Sequence, residues 1–308
     1  MTTRSLSLPS YAKVNLILRV LGKRADGYHE IQTVLQTISL HDTLHISVSG
    51  GNEAVFSCSD ASVPPDASNL VLRAVAALRE RFSRTGGYRI ELEKRIPLQG
   101  GLGGGSSNAA ITLLGLNRLW KLTASRGELM ELAAKLGADV PFFLEGGCAF
   151  ATGIGTQITP VSDIARQRIL VVTPKATVST ASAYQSLKAP ALTTSKGAPI
   201  LAISRTQAIF ADSKPIALCD HLENDFERVI FDIEPEIRRV KEALMQAGAR
   251  CALLAGSGSS VFGIFENDEV LSRAAQNLSH ESGWRIFSCA TLSRDEYLHA
   301  LNSAIPGR

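Results

Sequence analysis

Strand-like alternation and helical apolar spacing share one chain of 308 residues, with a run of glycines at 100–105 between a strand pattern and a helix pattern. The sequence therefore predicts a globular fold that mixes sheets with helices, as one large or two ordinary domains. Apolar residues make up 45% and charged residues 20%, enough to bury a full core and too apolar for a disordered chain. The net charge of +3 suits an anionic small molecule, and no basic run points to nucleic acid. No apolar stretch approaches the roughly 20 residues that span a bilayer, and the polar opening is too short for a signal or transit peptide. Five cysteines (Cys58, Cys148, Cys219, Cys251 and Cys289) are odd in number, scattered and never in a C-x-x-C pair. That pattern argues for a reducing cytosol and against a zinc site or a disulfide framework.

Residues 5–20 read as a strand, followed by a polar turn from Gly22 to Gly27 and a second β-prone run from Ile31 to Ile38. Lys13 and Asn15 are two apart, so a strand points both to one face while Val14 and Leu16 take the other. By spacing alone, Lys13 is an ordinary outward-facing lysine. His41 and His45 lie in a strand-like context that would set their rings roughly 13 Å apart, which favours a solvated face over a metal pair. A Gly/Ser/Pro-containing connection covers 50–68, and an amphipathic helix runs from Asn69 to Phe82 with Val71, Val75 and Leu78 on its apolar side. Tyr88–Leu92 alternates like a strand. A short helix from about Arg126 to Leu136 ends at Gly137. The following Asp139 reads locally as either a turn former or a catalytic carboxylate. The pattern changes around Gly153–Pro160, Ile169–Pro174 opens a second set of strands, and Pro235–Ala247 is helical. Residues 188–215 read as a polar, mobile surface segment. Gly256-Ser257-Gly258-Ser259-Ser260 lies between two β-prone runs and reads as a hairpin turn. The best domain division falls near residue 155.

The stretch 97–120 carries the clearest chemistry. Five of the six residues from Gly100 to Gly105 are glycine, with Ser106 and Ser107 after them and a helical pattern of Ala110, Leu113, Leu114 and Trp120 behind. A run with so little side-chain bulk turns where other residues cannot, and Ser107 or Asn108 is placed to cap the helix. A strand, a glycine loop and a helix N-terminus together form an anion site, with a phosphate as the expected guest. The loop lacks the lysine of a P-loop and breaks the dinucleotide-binding spacing.

Three elements thus stand in one chain: Pro9-x-x-Ala12-Lys13-x-Asn15, the Gly100–Ser107 loop, and the late Gly256–Ser259 turn. Their order resembles the GHMP kinases, small-molecule kinases named after galactose, homoserine, mevalonate and phosphomevalonate. Arg24-Ala25-Asp26-Gly27-Tyr28-His29 and Leu136–Phe143 are similar to one branch of that family. Its substrate is a cytidine diphosphate carrying methylerythritol, in the non-mevalonate route to isoprenoid precursors. The resemblance spans about Pro9 to Phe265.

It implies a two-domain α+β fold, residues 1–155 and 156–308, with the active site in the cleft between them. It implies an ATP-dependent cytoplasmic enzyme with Mg²⁺ accompanying ATP. Asp139 would be the base for the substrate hydroxyl. Lys13 beside it would polarise that hydroxyl and neutralise charge on the transferring phosphoryl group. For ATP, the resemblance implies Pro97, Leu98, Gln99, Gly100, Gly101, Leu102, Gly103, Gly104, Gly105, Ser106 and Ser107, with Asn69 and Lys94 near the adenosine. For the substrate it implies Tyr28 and Tyr184 stacking on cytosine, His29 at the edge of the base, and Asn15 and Thr180 near the methylerythritol. The late turn would close the cleft wall near the phosphates.

Overall fold

The structure is a computed structural model that describes residues 4–49, 51–192 and 218–303. Two long strands, β1 (Arg4–Lys23) and β2 (His29–Ser49), form an antiparallel ribbon that organises the first sheet. Its strands run β3-β4-β2-β1-β8, with β3 at Ala54–Cys58, β4 at Gly87–Glu93 and β8 at Glu223–Asn224. The hairpin β5 (Cys148–Thr152) and β6 (Gln157–Pro160) joins β2 along Thr33–Gln36. The second sheet runs β11-β7-β10-β9, with β7 at Arg168–Thr173, β9 at Cys251–Leu254, β10 at Val261–Phe265 and β11 at Arg285–Ala290.

The side-chain period of two explains how these sheets stack. On β1, Ala12, Val14 and Leu16 turn towards the second sheet, where they meet Ile169, Val171, Phe262 and Ile264 in one buried cluster. Leu6, Leu8 and Leu44 instead pack beneath helices α1 (Leu70–Phe82), α2 (Gly104–Trp120), α3 (Arg126–Leu136) and α4 (Phe142–Glu145). On β7, Leu170 and Val172 face outwards to a third cluster. It is closed by α5 (Thr180–Leu187), α6 (Glu227–Ile233), α7 (Pro235–Gln246) and α8 (Asp268–Leu278). The result is helices, sheet, sheet, helices, which agrees with a mixed α and β fold. The last described helix, α9 (Arg294–Ser303), crosses back to the first core. There Tyr297 and Leu301 are buried, and the Tyr297 hydroxyl donates to the Phe143 carbonyl.

Several expectations need correction. The connection at 50–68 contains β3, which pairs parallel with β4. Ser107 and Asn108 do not cap α2, because its N-cap is Gly103 with φ 71° and makes no side-chain cap. Both are buried inside the helix, sharing the Ser10 hydroxyl at 2.7 Å. Gly137 does end α3, but with extended backbone (φ 173°) that any residue could adopt. Cys219 and Cys251 form a disulfide with Cα atoms 5.7 Å apart, against the expectation of none. Their separation of 32 residues carries no pairing signal, since tertiary proximity alone brings them together. Cys58, Cys148 and Cys289 are free. Most of the expected mobile segment 188–215 lies outside the described residues. No described helix is long and apolar enough to cross a membrane.

Candidate active site

The cleft begins where β1 is irregular. Register shifts at Tyr11/Ala12 and Asn15/Ile17 bracket Lys13, whose backbone N–H donates to the Leu102 carbonyl at 3.0 Å. Lys13 and Asn15 share a face, as their spacing predicts, and Lys13 Nζ donates to Asn15 Oδ1 at 2.7 Å. Asn15 passes the chain on to Thr33 Oγ1 (2.8 Å), whose hydroxyl is anchored on the Ile17 carbonyl. Lys13 is buried, not outward-facing, and its Nζ lies 3.5 Å from Asp139 Oδ2. The Asp139 side chain stays 36% exposed, so it can still be reached from the cleft. His41 and His45 sit on β2 away from this pair. One ring packs on Tyr11, and the other pairs with Glu93.

The glycine loop crosses over Lys13 and is locked to the second glycine cluster. Ser259 and Ser260 donate their N–H groups to the carbonyls of Gln99 and Gly100 at 3.2 Å each. A Cβ on Gly101 would fall 1.8 Å from the Ala255 carbonyl oxygen, and φ there is 72°, so only glycine allows the two loops to meet. The second cluster is also the expected hairpin turn, joining antiparallel β9 and β10. The glycine N-cap of α2 serves the same end: with no side chain over it, the first-turn N–H groups have no intrahelical acceptor and open on the cleft.

The cleft encloses about 1030 Å³. Lys13, Asn15, Tyr28, His29, Asp139, Thr180 and Tyr184 line it, together with Pro97, Gln99, Gly100, Gly101, Leu102, Gly103, Gly105 and Ser106. Five expected residues lie off its wall. Asn69 caps α1, accepting from Val71 N–H and donating to the Pro64 carbonyl. Lys94 is buried and pairs with Asp42 at 2.9 Å, while also donating to the Ile96 carbonyl. Burial lowers the pKa of Lys94, and the Asp42 carboxylate opposes that shift. Leu98 is exposed, Gly104 sits against Ile96, and Ser107 is held by Ser10.

The far end is aromatic. Tyr28 is 61% exposed on the turn after Gly27. His29 stacks on Tyr184 with centroids 4.6 Å apart and planes at 22°, so its imidazole occupies the ring face expected to receive a base. Burial and, secondarily, Lys23 hold the His29 pKa below its ordinary value, which favours the neutral ring. Thr180 Oγ1 lies 3.1 Å from Ser257 Oγ, linking α5 to the second glycine loop. Phe226 and Thr33 also line the cleft, and sequence reasoning missed both. Neither lies in a run with distinctive spacing, and their partners are remote in the chain.

A cleft built from two interlocked glycine loops, an open helix N-terminus and a lysine–carboxylate pair has the parts of a small-molecule kinase site. Residues 69–147 match the GHMP kinases N terminal domain and residues 211–282 the GHMP kinases C terminal domain. A 4-diphosphocytidyl-2-C-methyl-D-erythritol kinase from Prosthecochloris aestuarii is 43% identical over 277 residues, covering 90% of this chain and 94% of the relative. One from Syntrophotalea carbinolica is 41% identical, covering 90% and 95%. A crystal structure of 4-(cytidine 5'-diphospho)-2C-methyl-D-erythritol kinase superposes with a TM-score of 0.75 at 33% identity, covering 93% of this chain and 99% of that one. Homoserine kinase from Cytophaga hutchinsonii shares the fold, with a TM-score of 0.69 at 18% identity over 94% and 95%. The chain thus belongs to the GHMP kinases and, within them, to the 4-diphosphocytidyl-2-C-methyl-D-erythritol kinase family.

Proposed function

We propose that this protein transfers the γ-phosphoryl group of ATP to the C2 hydroxyl of 4-diphosphocytidyl-2-C-methyl-D-erythritol, giving the 2-phosphate and ADP. The observation that carries this reading is the Lys13–Asp139 pair, 3.5 Å apart and directly beneath the glycine loop. Asp139 accepts the hydroxyl proton as the oxygen attacks phosphorus. The bond to the β,γ-bridging oxygen breaks, and ADP leaves with that electron pair. Lys13 offsets negative charge on the phosphoryl oxygens, and the open N–H groups of α2 hold the remaining phosphates. Asn15 fixes the lysine by accepting one of its protons.

Tyr28, His29 and Tyr184 form the cytosine end. The base takes the Tyr184 face that His29 now covers, and the imidazole turns to its edge. Mg²⁺ would enter with the nucleotide. No group of three His, Cys, Asp or Glu side chains among the described residues could hold a metal, and an ion bound mainly through phosphate oxygens and water does not require such a cage. Bound, it would supply further charge neutralisation at the phosphates.

The proposed domains, 1–155 for ATP and 156–308 as the C-terminal domain, meet in the turn between β5 and β6. β8 and α9 return from the second portion to the first. A small soluble substrate fits a cytoplasmic enzyme without nucleic-acid or membrane partners.

The test is ADP release from ATP and Mg²⁺ with the cytidine substrate, run beside mevalonate, homoserine and methylerythritol phosphate. Turnover with the cytidine compound alone supports the reading. Turnover with another acceptor instead would discard the cytosine assignment.

A further inference from the structure

Four consecutive residues, Asn224 to Glu227, touch three walls of the cleft. Asn224 is buried, and its amide donates to the carbonyls of Leu254 and Gly256, both at 2.8 Å, while its Oδ1 accepts the Phe226 N–H at 3.0 Å. The Asp225 carboxylate accepts the Val20 N–H at 2.7 Å, and its own N–H donates to the Leu18 carbonyl, which fixes it to β1. Phe226 is 1% exposed and stands edge-on to Tyr184, with centroids 4.9 Å apart and planes at 87°. Glu227 accepts the Leu254 N–H at 3.0 Å and pairs on its outer side with Lys241.

The loop held this way faces the reacting groups. A Cβ placed on Gly256 would lie 3.4 Å from Lys13 Nζ, so any drift of this backbone changes the space around the ammonium. The same loop is bonded to Gln99 and Gly100 across the cleft. Asparagine suits this position because its amide offers two donors for two carbonyls and an oxygen for one N–H, whereas a carboxylate keeps the acceptor but would repel both carbonyls.

We propose that the Asn224–Glu227 bracket is a positioning element for phosphoryl transfer. Asn224 sets the second glycine loop against Lys13, and Phe226 sets the plane of Tyr184 for the base. The inference rests on the kinase reading above. Wild-type turnover with the cytidine substrate tests that reading, and comparison of variants with wild type tests the bracket.

Asn224→Asp keeps the size and the Phe226 acceptor but removes both donors. Lys241→Met is the control, since it removes the outer ion pair of Glu227 and the ammonium over the Phe231 ring, but leaves the bonds of the bracket to β1 and the glycine loop in place. Both are assayed at a temperature where circular dichroism shows them folded. Misplaced reacting groups predict a roughly 10- to 100-fold fall in kcat for Asn224→Asp, with Lys241→Met within about twofold of wild type. A folded Asn224→Asp variant with kcat within about twofold of wild type overturns the proposal. If that variant does not fold, Phe226→Leu decides, because it keeps an apolar side chain and loses the ring edge. A KM for the cytidine substrate raised roughly tenfold, with the KM for ATP within about twofold, supports the bracket. An unchanged KM for the cytidine substrate overturns it.

Discussion

Lys13 is the residue at which the chemistry and the architecture meet. Its backbone holds Leu102, its ammonium lies between Asn15 and Asp139, and its stem packs where a side chain on Gly103 would otherwise sit. Asp42 plays a comparable part behind the loop. It is fully buried, accepts the N–H groups of Arg95 and Ile96 at 2.7 and 2.8 Å, and neutralises Lys94. Asp42→Asn would leave a buried ammonium without its counter-charge, at an expected cost of about 3–5 kcal/mol. Urea unfolding should show the midpoint falling with an unchanged slope; a midpoint equal to wild type would mean that Lys94 finds another partner. At this scale the sequence was informative where groups lie close along the chain. The two-residue spacing of Lys13 and Asn15 put them on one face. Asn224, Asp42 and Ser10 gave no such signal, because the partners that place them against other elements are between about 30 and 100 positions away.

At the scale of elements, the cleft depends on two turns touching. The strand–loop–helix reading of 88–120 and the hairpin reading of 256–260 were both legible, since glycine runs between periodic segments mark turns. That the turns interlock was not legible, because backbone-to-backbone contact leaves no side-chain pattern. Gly101→Ala tests this contact. The methyl group would strike the Ala255 carbonyl and must also adopt a positive φ, so the loops should separate. We expect loss of at least about 1–3 kcal/mol of stability and a marked fall in kcat. Wild-type values for both in the purified variant would show that the loops do not need this approach. The capping expectation for α2 failed for a related reason: a serine or asparagine cap would occupy the donors that a glycine cap leaves free. Helix α9 is placed by Tyr297 reaching Phe143, which no local pattern announces.

Across the whole molecule, four layers bury several weakly acidic groups. Burial raises the pKa of Tyr297 well above its ordinary value, and Asp139 adds to burial in pushing Tyr184 up to about 12. Burial likewise raises the free thiols of Cys148 and Cys289 to about 12. In the unfolded chain these groups lose their protons near 9 for cysteine and 10 for tyrosine. Their folded values are higher, so the stability they contribute is complete below the unfolded values and is lost as pH rises from there through the folded values near 12. The urea midpoint should therefore fall as pH rises from about 9 to about 12. A constant midpoint would mean these side chains reach solvent in the folded state. The opening of a second set of strands at 169–174 was readable, but the four-layer order was not, although β7 is apolar at successive positions and buried along most of its length. The return of β8 and α9 to the first sheet was not readable either, because such crossings depend on the completed fold.

The most direct measurement is turnover by Asp139→Asn beside its affinity for ATP. The amide keeps the shape of the carboxylate but cannot take the hydroxyl proton, so kcat should fall by about 10²- to 10⁴-fold. The glycine loop is untouched, and ATP should bind within about twofold of wild type. Near-wild-type turnover would contradict the account, because the Lys13–Asp139 pair would then not be the centre of phosphoryl transfer.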